Sequence, residues 1–265
     1  MRYFDKGKKP SLLPSFCVFM DVLGFKETAR AITSVHDPVF SRFYKVLQKT
    51  VEDLNENRVS GGQNASWEMK VFTDNIVAGF PITPGMDESE FGWMIEDVAQ
   101  HQLTMATEGF FVRGGFTLGP LFMDNLVVFG PALIEAYDIE TQHAVNPRIV
   151  LSSDLMKLVR KHMTYYADNT QTPQNDSLLQ DSDGHVFVNY LLAALDWYTG
   201  KIVDWGAIKK HKMQIESGLQ RFRANEKTLC KYRWLAEYHN YFCHLIEDKS
   251  GYKKSYLVRT SSDKA

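Results

Sequence analysis

Apolar residues in this chain fall into short unbroken runs and longer spaced stripes, and the two patterns predict different elements. Phe16-Cys17-Val18-Phe19-Met20 is an unbroken run after Pro14 and reads as a buried strand. It passes directly into Asp21-Val22-Leu23-Gly24-Phe25. Asp37 and Pro38 are the residue types of a helix N-cap and first helical position, and Phe40, Phe43, Tyr44, Leu47, Val51 and Leu54 then recur at helical spacing. Asn55 to Ala65 is polar, contains Gly61-Gly62 and reads as a loop. Trp67, Met69 and Val71, then Ile76, Val77 and Phe80, make two strand-like runs. Thr73-Asp74-Asn75 between them suits a hairpin. A second helix is predicted from Asp87 to about Glu108, with Phe91, Met94, Val98 and Met105 inward. Phe110 to Leu118 and Leu121 to Phe129 read as two strands with a turn between, and Ala132 to His143 as a helix. Arg148 to Leu151 is a strand candidate, followed by a helix from Ser153 to about Met163.

The core of this order is βαββαβ, so an α+β fold is expected: a ferredoxin-like sheet with its helices on one face. Tyr165 to Asp183 is polar and reads as a loop; Val186 to Leu195 fits either a strand or the start of a helix. From Ala207 to Ile246, Leu219, Phe222, Leu229, Trp234, Tyr238, Tyr241 and Leu245 form a stripe in a charged segment, which predicts a helical appendage. The expected division is a catalytic domain over residues 1–204 and a C-terminal helical extension over 205–265.

Composition narrows the chemistry. The 265-residue chain is 44% hydrophobic and 23% charged, ordinary for a globular protein. Its formal net charge of −2 points to neither nucleic acid nor a direct membrane partner, so any bound anion must be held by a local site. Cys17, Cys230 and Cys243 have neither metal-ligand spacing nor an even-numbered disulfide framework, and a reducing cytoplasmic setting is the simple expectation. The charged start Met1-Arg2-Tyr3-Phe4-Asp5-Lys6 lacks a signal-peptide core, and no apolar run reaches the roughly 18 residues of a membrane span.

Two aspartates stand out by position. Asp21 ends an apolar strand and Asp74 sits at a hairpin tip; in βαββαβ topology the two strands can be neighbours. Carboxylates held together repel unless a cation lies between them, and Mg²⁺ or Mn²⁺, hard ions preferring oxygen, fit that place. Aspartate is also the default turn residue, so a purely structural role for both stays open. Gly24-Phe25 can turn backbone N–H groups toward a phosphate or form a plain turn. Arg113 precedes Gly114-Gly115 on a strand that should be central, where a guanidinium needs a partner: a ligand or a salt bridge. Lys70, four residues before Asp74, falls on the same strand face and could read a base or phosphate, or simply be solvated. The eight histidines are scattered without His-Glu-x-x-His, and Ser152-Ser153 and Ser261-Ser262 lie in no nucleophile elbow.

Taken together, these segments resemble the class III nucleotidyl cyclases. Phe19-Met20-Asp21-Val22-Leu23-Gly24-Phe25 is similar to the first metal motif of that family, and Phe72-Thr73-Asp74-Asn75 to its second. Val112-Arg113-Gly114-Gly115-Phe116-Thr117-Leu118-Gly119 resembles its glycine-rich strand, and Val128-Phe129-Gly130-Pro131 to Glu140 the strand and helix that follow. The resemblance covers roughly residues 15–152. It implies two divalent cations (Mn²⁺ or Mg²⁺) bound by Asp21, Asp74 and the carbonyl of Val22, phosphates held by Gly24 and Phe25, and Arg113 on the triphosphate. Lys70 falls where the family reads the base. Sites in the family form between two antiparallel subunits, so a homodimer is implied.

The chain departs from the purine enzymes of that family. Their transition-state Asn and Arg positions hold Ile134 and Asp138 here, and a base-facing position holds Val127. Tyr137 adds bulk at the implied nucleotide site on the same helix. The Asp-Val-Leu-Gly-Phe form, Glu135-Ala136-Tyr137-Asp138-Ile139-Glu140 and the segment Lys231 to Asn240 resemble the bacterial pyrimidine cyclases of anti-phage defence. That branch implies UTP, or CTP, as substrate, a diffusible cyclic nucleotide as product, and a separate effector protein that receives it. A purine (adenylate) cyclase, favoured by Lys70 alone, and a non-catalytic nucleotide-binding module are the alternatives.

Overall fold

A computed structural model of the chain describes residues 3–60, 68–168, 172–196 and 199–259, with the backbone alone for 51–60. Gly61-Gly62, Trp67, Ser261-Ser262 and the side chains of Val51 and Leu54 lie outside the described residues.

The fold is α+β. Strand β1 (Leu13–Val22) lies between β3 (Asn75–Pro81) and β4 (Val112–Met123), antiparallel to both, and β2 (Glu68–Phe72) pairs with β3. A strand covered on both faces has no polar side to present, which is why β1 reads as a continuous apolar run. Phe16, Val18, Met20 and Val22 enter one core; Cys17 and Phe19 enter another on the opposite face. After β1 come α1 (Phe25–Ala31) and α2 (Pro38–Ser60), and α3 (Asp87–Thr107) links β3 to β4. Phe43 and Val46 of α2 and Phe91 and Met94 of α3 join the first core, so the ferredoxin-like unit carries both helices on one face as expected. The amide of Val39 donates to Asp37 Oδ1 at 2.7 Å, the predicted cap. The helix runs on to Ser60, so residues 55–60, expected in a loop, are helical.

One expected turn is absent. β4 continues through Gly119-Pro120, where Pro120 pairs with Pro14 of β1. Two prolines can face each other only at a pair that exchanges no N–H bonds. The other edge of β4 pairs with β6 (Ile149–Leu151) only over Gly114–Phe116, so no ladder there needs the amide of Pro120. The turn comes instead at Asp124, whose Oδ1 accepts from the amides of Leu126 and Val127, both at 2.8 Å. Strand β5 (Val128–Phe129) then returns along β4.

Helix α4 (Pro131–Gln142) lies on the other face of the sheet, with Ala132 and Ala136 against Cys17 and Phe19. Its closeness explains Gly115 of β4, and the backbone of β1 explains Gly114. A Cβ on Gly115 would lie 2.1 Å from the carbonyl oxygen of Ala136, and one on Gly114 2.4 Å from that of Phe19.

After α5 (Ser153–Met163), the stretch expected to be a loop holds α6 (Pro173–Ser177) and β7 (Leu178–Gln180), the latter paired with β8 (Val186–Val188). Leu178 and Leu179 pack on the core from within a polar context, and β8 joins the sheet through Phe187 opposite Val150. A 3-10 turn over Tyr190–Ala194 follows β8, so the ambiguous segment is strand first and helical turn second. Arg148 is fully buried. It pairs with Asp181 and Asp183 and lies over the rings of Phe187 and Trp234, which ties the start of β6 to the β7–β8 hairpin.

Helices α7 (Trp205–Arg221) and α8 (Glu226–Leu245) pack into the first core through Ile208, Ile215, Leu235 and Phe242. The inward face of α8 is rotated from the predicted stripe, and Tyr241 and Leu245 are exposed. His239 and Cys243 are inside instead, and a hydrogen-bonded relay holds the histidine there. His239 Nε2 lies 3.0 Å from the carbonyl of Tyr256, which can only accept, so Nε2 carries the hydrogen. Its Nδ1 must then accept from His211 Nδ1 at 2.9 Å, and His211 Nε2 accepts from the Tyr190 hydroxyl at 2.7 Å. Both imidazoles are neutral in this chain of bonds.

Burial lowers His239 to about 4 and, helped by the neighbouring His239, pushes His211 well below the ordinary histidine value. Buried His101 is likewise lowered to about 4. Unfolded chains take up these protons near pH 6.5 and the folded chain does not. Stability from these groups is therefore complete above about pH 6.5 and declines toward pH 4, by at most about 1.4 kcal/mol per pH unit for each histidine. Asp21, raised to about 6, works in the opposite sense, so the test is a difference. The melting temperature of His101→Gln is expected to fall less steeply with acid than that of the parent; parallel curves would contradict this.

Candidate functional site

Strand register builds the site. Asp21 lies opposite Arg113 of β4 on one side and Asn75 of β3 on the other, with Phe72 of β2 beyond Asn75. Side chains opposite one another share a face, so this row lies on the side of the sheet that α4 covers. The β2–β3 turn consists of Thr73 and Asp74, with Thr73 in a left-handed conformation (φ 60°) and its hydroxyl donating to Asp74 Oδ1 at 2.8 Å. The turn brings Asp74 beside Asn75, the partner of Asp21, and its carboxyl holds the pKa of Asp21 up.

Asp21 feels opposed influences. Burial raises its pKa first, Arg113 lowers it, and the carboxyls of Asp74 and Glu140 push it up again, to about 6. Arg113 forks between two acids: Nε lies 3.1 Å from Asp21 Oδ2 and Nη2 2.6 Å from Glu140 Oε1. Glu140, buried on the last turn of α4, is a site residue that the sequence pattern did not single out; its position in an amphipathic helix resembles that of any surface glutamate. Lys231 of α8 is another. Burial and the adjacent Arg113 hold its ammonium below the ordinary lysine range, with Asp21 pulling the other way.

The remaining candidates are spread around this cluster. Gly24 caps α1 with φ 71° and ψ 15°, a left-handed conformation that glycine adopts without strain. The ring of Phe25 packs on Phe43 at 4.9 Å. Val22 pairs with Val112 at the end of β1, beside Asp21. Lys70 shares the Asp21 face one position along, but its ammonium reaches the carbonyl of Asn125 in the β4–β5 turn and not Asp74. Tyr137 is half exposed on α4, its ring edge-on to Phe19 at 5.4 Å.

The donors that converge are carboxylate oxygens, with the backbone of Val22 next in the chain. Among the described residues no group of three or more His, Cys, Asp or Glu side chains is arranged to hold a metal ion. An all-oxygen pair suits a hard divalent ion such as Mg²⁺ or Mn²⁺, which keeps several waters or takes oxygens from a phosphate. A carboxyl raised by burial and by the neighbouring carboxyls of Asp74 and Glu140 also fits such an ion, because a cation would offset their repulsion.

No helix of the described residues is long and apolar enough to cross a membrane. No family model matches the chain, and no curated protein matches it. Among solved structures it is similar to that of a bacterial light-regulated adenylyl cyclase, at 13% identity and a TM-score of 0.40, over 69% of this chain and 53% of that one. The chain thus spans about half the length of that structure.

Proposed function

We propose that the chain is a pyrimidine nucleotide cyclase that converts UTP to 3′,5′-cyclic UMP and pyrophosphate. The observation that carries this reading is the meeting of Asp21 and Asp74 beside Arg113, from three separate strand ends. In the reaction the ribose 3′-oxygen bonds to the α-phosphorus, the bond from that phosphorus to the bridging oxygen breaks to release pyrophosphate, and the 3′-hydroxyl proton passes to water. When bound, two divalent cations supply Lewis-acid polarisation of the α-phosphate and acidify the 3′-hydroxyl. Asp21 and Asp74 would hold them, with the carbonyl of Val22. With Asp21 serving as a metal ligand, the Nε edge of Arg113 would be free for a phosphate oxygen, and Glu140 would keep the other edge in place. Charge that builds on the leaving pyrophosphate is then met by a fixed guanidinium. The amides at Gly24 and Phe25 would receive the β- and γ-phosphates.

The substrate class rests on Val127, Ile134 and Tyr137, which present apolar or bulky groups where a larger base would need polar ones. Lys70 has donors and no acceptor, so at the base edge it favours the uracil carbonyl over the cytosine amine. A homodimer with sites at its interface belongs to the same proposal. Phe72, Leu126, Phe129, Ile134 and Tyr137 are all exposed around the Asp21 face, and such an apolar patch favours a protein partner. The product would be a diffusible messenger of bacterial antiviral defence, received by a separate effector.

The test is incubation with each of the four nucleoside triphosphates and Mn²⁺, with mass analysis of the products. UTP is expected to be cyclised in preference to CTP, and both in preference to ATP and GTP. Lys70→Ala is expected to narrow the preference for UTP over CTP by about tenfold, the worth of one hydrogen bond to a charged donor. No cyclic product from any triphosphate would remove the activity; a preference for CTP would remove Lys70 from the base.

A further inference from the structure

The first turns of α8 are held against the end of the sheet where Asp21 and Arg113 meet. The ring of Tyr232 lies edge-on to Phe111, two residues before Arg113, at 5.6 Å. The carbonyl of Phe111 accepts from the amide of Leu23, two residues after Asp21, at 2.8 Å. Farther along the helix, Trp234 Nε1 donates to Asp181 Oδ2 at 2.7 Å, and that carboxylate pairs with Arg148. The carbonyl of Arg148 accepts in turn from the amide of Gly114, next to Arg113, at 3.0 Å. Lys231 stands between these anchors, beside Tyr232 and about one helical turn before Trp234. Its side chain is half-buried and feels the charges of Arg113 and Asp21. The positions three and four residues away on α8 hold Lys227, Thr228, Trp234 and Leu235, so its own helix supplies it with no acid at ion-pair spacing.

Two cations brought to one half-buried place repel unless negative charge lies with them. In the free chain Asp21 offsets both Arg113 and Lys231. With Asp21 serving as a metal ligand, that offset is spent on the cation, while Glu140 takes up one edge of Arg113 alone. We propose that Lys231 is a further substrate-binding residue, its ammonium meeting a β- or γ-phosphate oxygen beside Arg113, so that the C-terminal helices supply part of the triphosphate site. This role depends on Asp21, Asp74 and Arg113 forming a nucleoside triphosphate site. The direction fits the phosphate tail: Gly24 and Phe25 follow Leu23, which is bonded to the same Phe111 that Tyr232 covers. An ammonium is a compact charge on a flexible stem, suited to a phosphate oxygen and not to the planar edge of a base.

The test is calorimetric titration of the whole chain with inorganic tripolyphosphate, with Mn²⁺ in the same excess in both solutions. The parent is expected to show saturable binding. Lys231→Met, which keeps the apolar stem and removes the charge, is expected to weaken it about tenfold or more, the worth of a hydrogen bond to a charged group. Lys231→Arg, which restores the charge, is expected to stay within about threefold of the parent. A thermal melt without tripolyphosphate separates binding from structure. Lys231→Met is expected to melt no lower than the parent, because losing the ammonium relieves its repulsion with Arg113. Arg113→Ala is the reference for the site itself. Weaker binding by Arg113→Ala with unchanged binding by Lys231→Met would overturn the role of Lys231 and leave the site standing. No saturation by the parent, or parent-like binding by both variants, would remove the triphosphate site and the role of Lys231 with it. Binding by Lys231→Arg as weak as that by Lys231→Met, with a lowered melting temperature for both, would make Lys231 a structural residue only. Should Lys231→Met lose its far-ultraviolet dichroism, Lys231→Gln serves in its place with the same expected results.

Discussion

Asp74→Ala is expected to reduce cyclisation of UTP on the order of 10³-fold or more, with the fold intact. The side chain sits at the tip of a two-residue turn and adds nothing to the hydrophobic core, so its removal leaves the β2–β3 pairing in place. It does take away one of two carboxylates that meet at Asp21, and a hard cation held by one carboxylate has lost half of its anionic protein ligands. Asp21→Ala is expected to be as severe and to leave Arg113 with Glu140 and the carbonyl of Ala144 as its partners. Arg113→Ala should cost less, roughly tenfold to a thousandfold, because it removes one charge-stabilising donor and no metal ligand. The measurement is turnover with UTP and Mn²⁺ alongside a thermal melt. Near-normal turnover in either aspartate variant would end the metal-binding assignment. A normal rate with a lowered melting temperature for Arg113→Ala would make that residue a structural ion pair.

The largest effect on stability is expected at Gly115. The contact that its missing side chain permits is with backbone: the carbonyl of Ala136 would lie 2.1 Å from an added Cβ, and the Cβ of Ile139 2.8 Å. A flexible side chain can move aside, but a helix carbonyl moves only with its helix. Gly115→Ala should therefore lift α4 from β4 and destabilise the chain by about 3 kcal/mol or more, at the upper end of overpacking costs. Glu140 lies on the same helix, so the displacement should also loosen Arg113 and lower activity in whatever remains folded. Denaturant unfolding of Gly115→Ala beside Gly119→Ala checks this. At Gly119 the nearest atom to an added Cβ is the Ala132 side chain at 3.4 Å, and little change is expected. Equal stability of the two variants would show that α4 adjusts freely.

Hydrophobic pattern alone determined where most elements lie, because it is set by neighbours in the chain. The run at Phe16–Met20, the cap at Asp37-Pro38, the hairpin around Asp74 and the helix from Asp87 all stand where their residues predict. Asp21 was legible as a candidate because it ends an apolar strand, and Asp74 because it sits at a hairpin tip. What they meet was not legible. The bond from Arg113 to Asp21 spans 92 residues and follows from the register of β1 against β4, which no local pattern states. Glu140 reaches the cluster because α4 packs over it, and Lys231 on α8 feels the charges of Arg113 and Asp21; on a helical wheel both resemble solvent-facing charges. Pro120 read as a turn because its missing amide is costly only where a neighbour strand needs it, and the tertiary pairing leaves that edge free. His239 was not part of the predicted stripe, yet it lies inside. Distant partners at His211 and Tyr256 satisfy its two ring nitrogens, and a buried polar group is tolerated only when such partners exist.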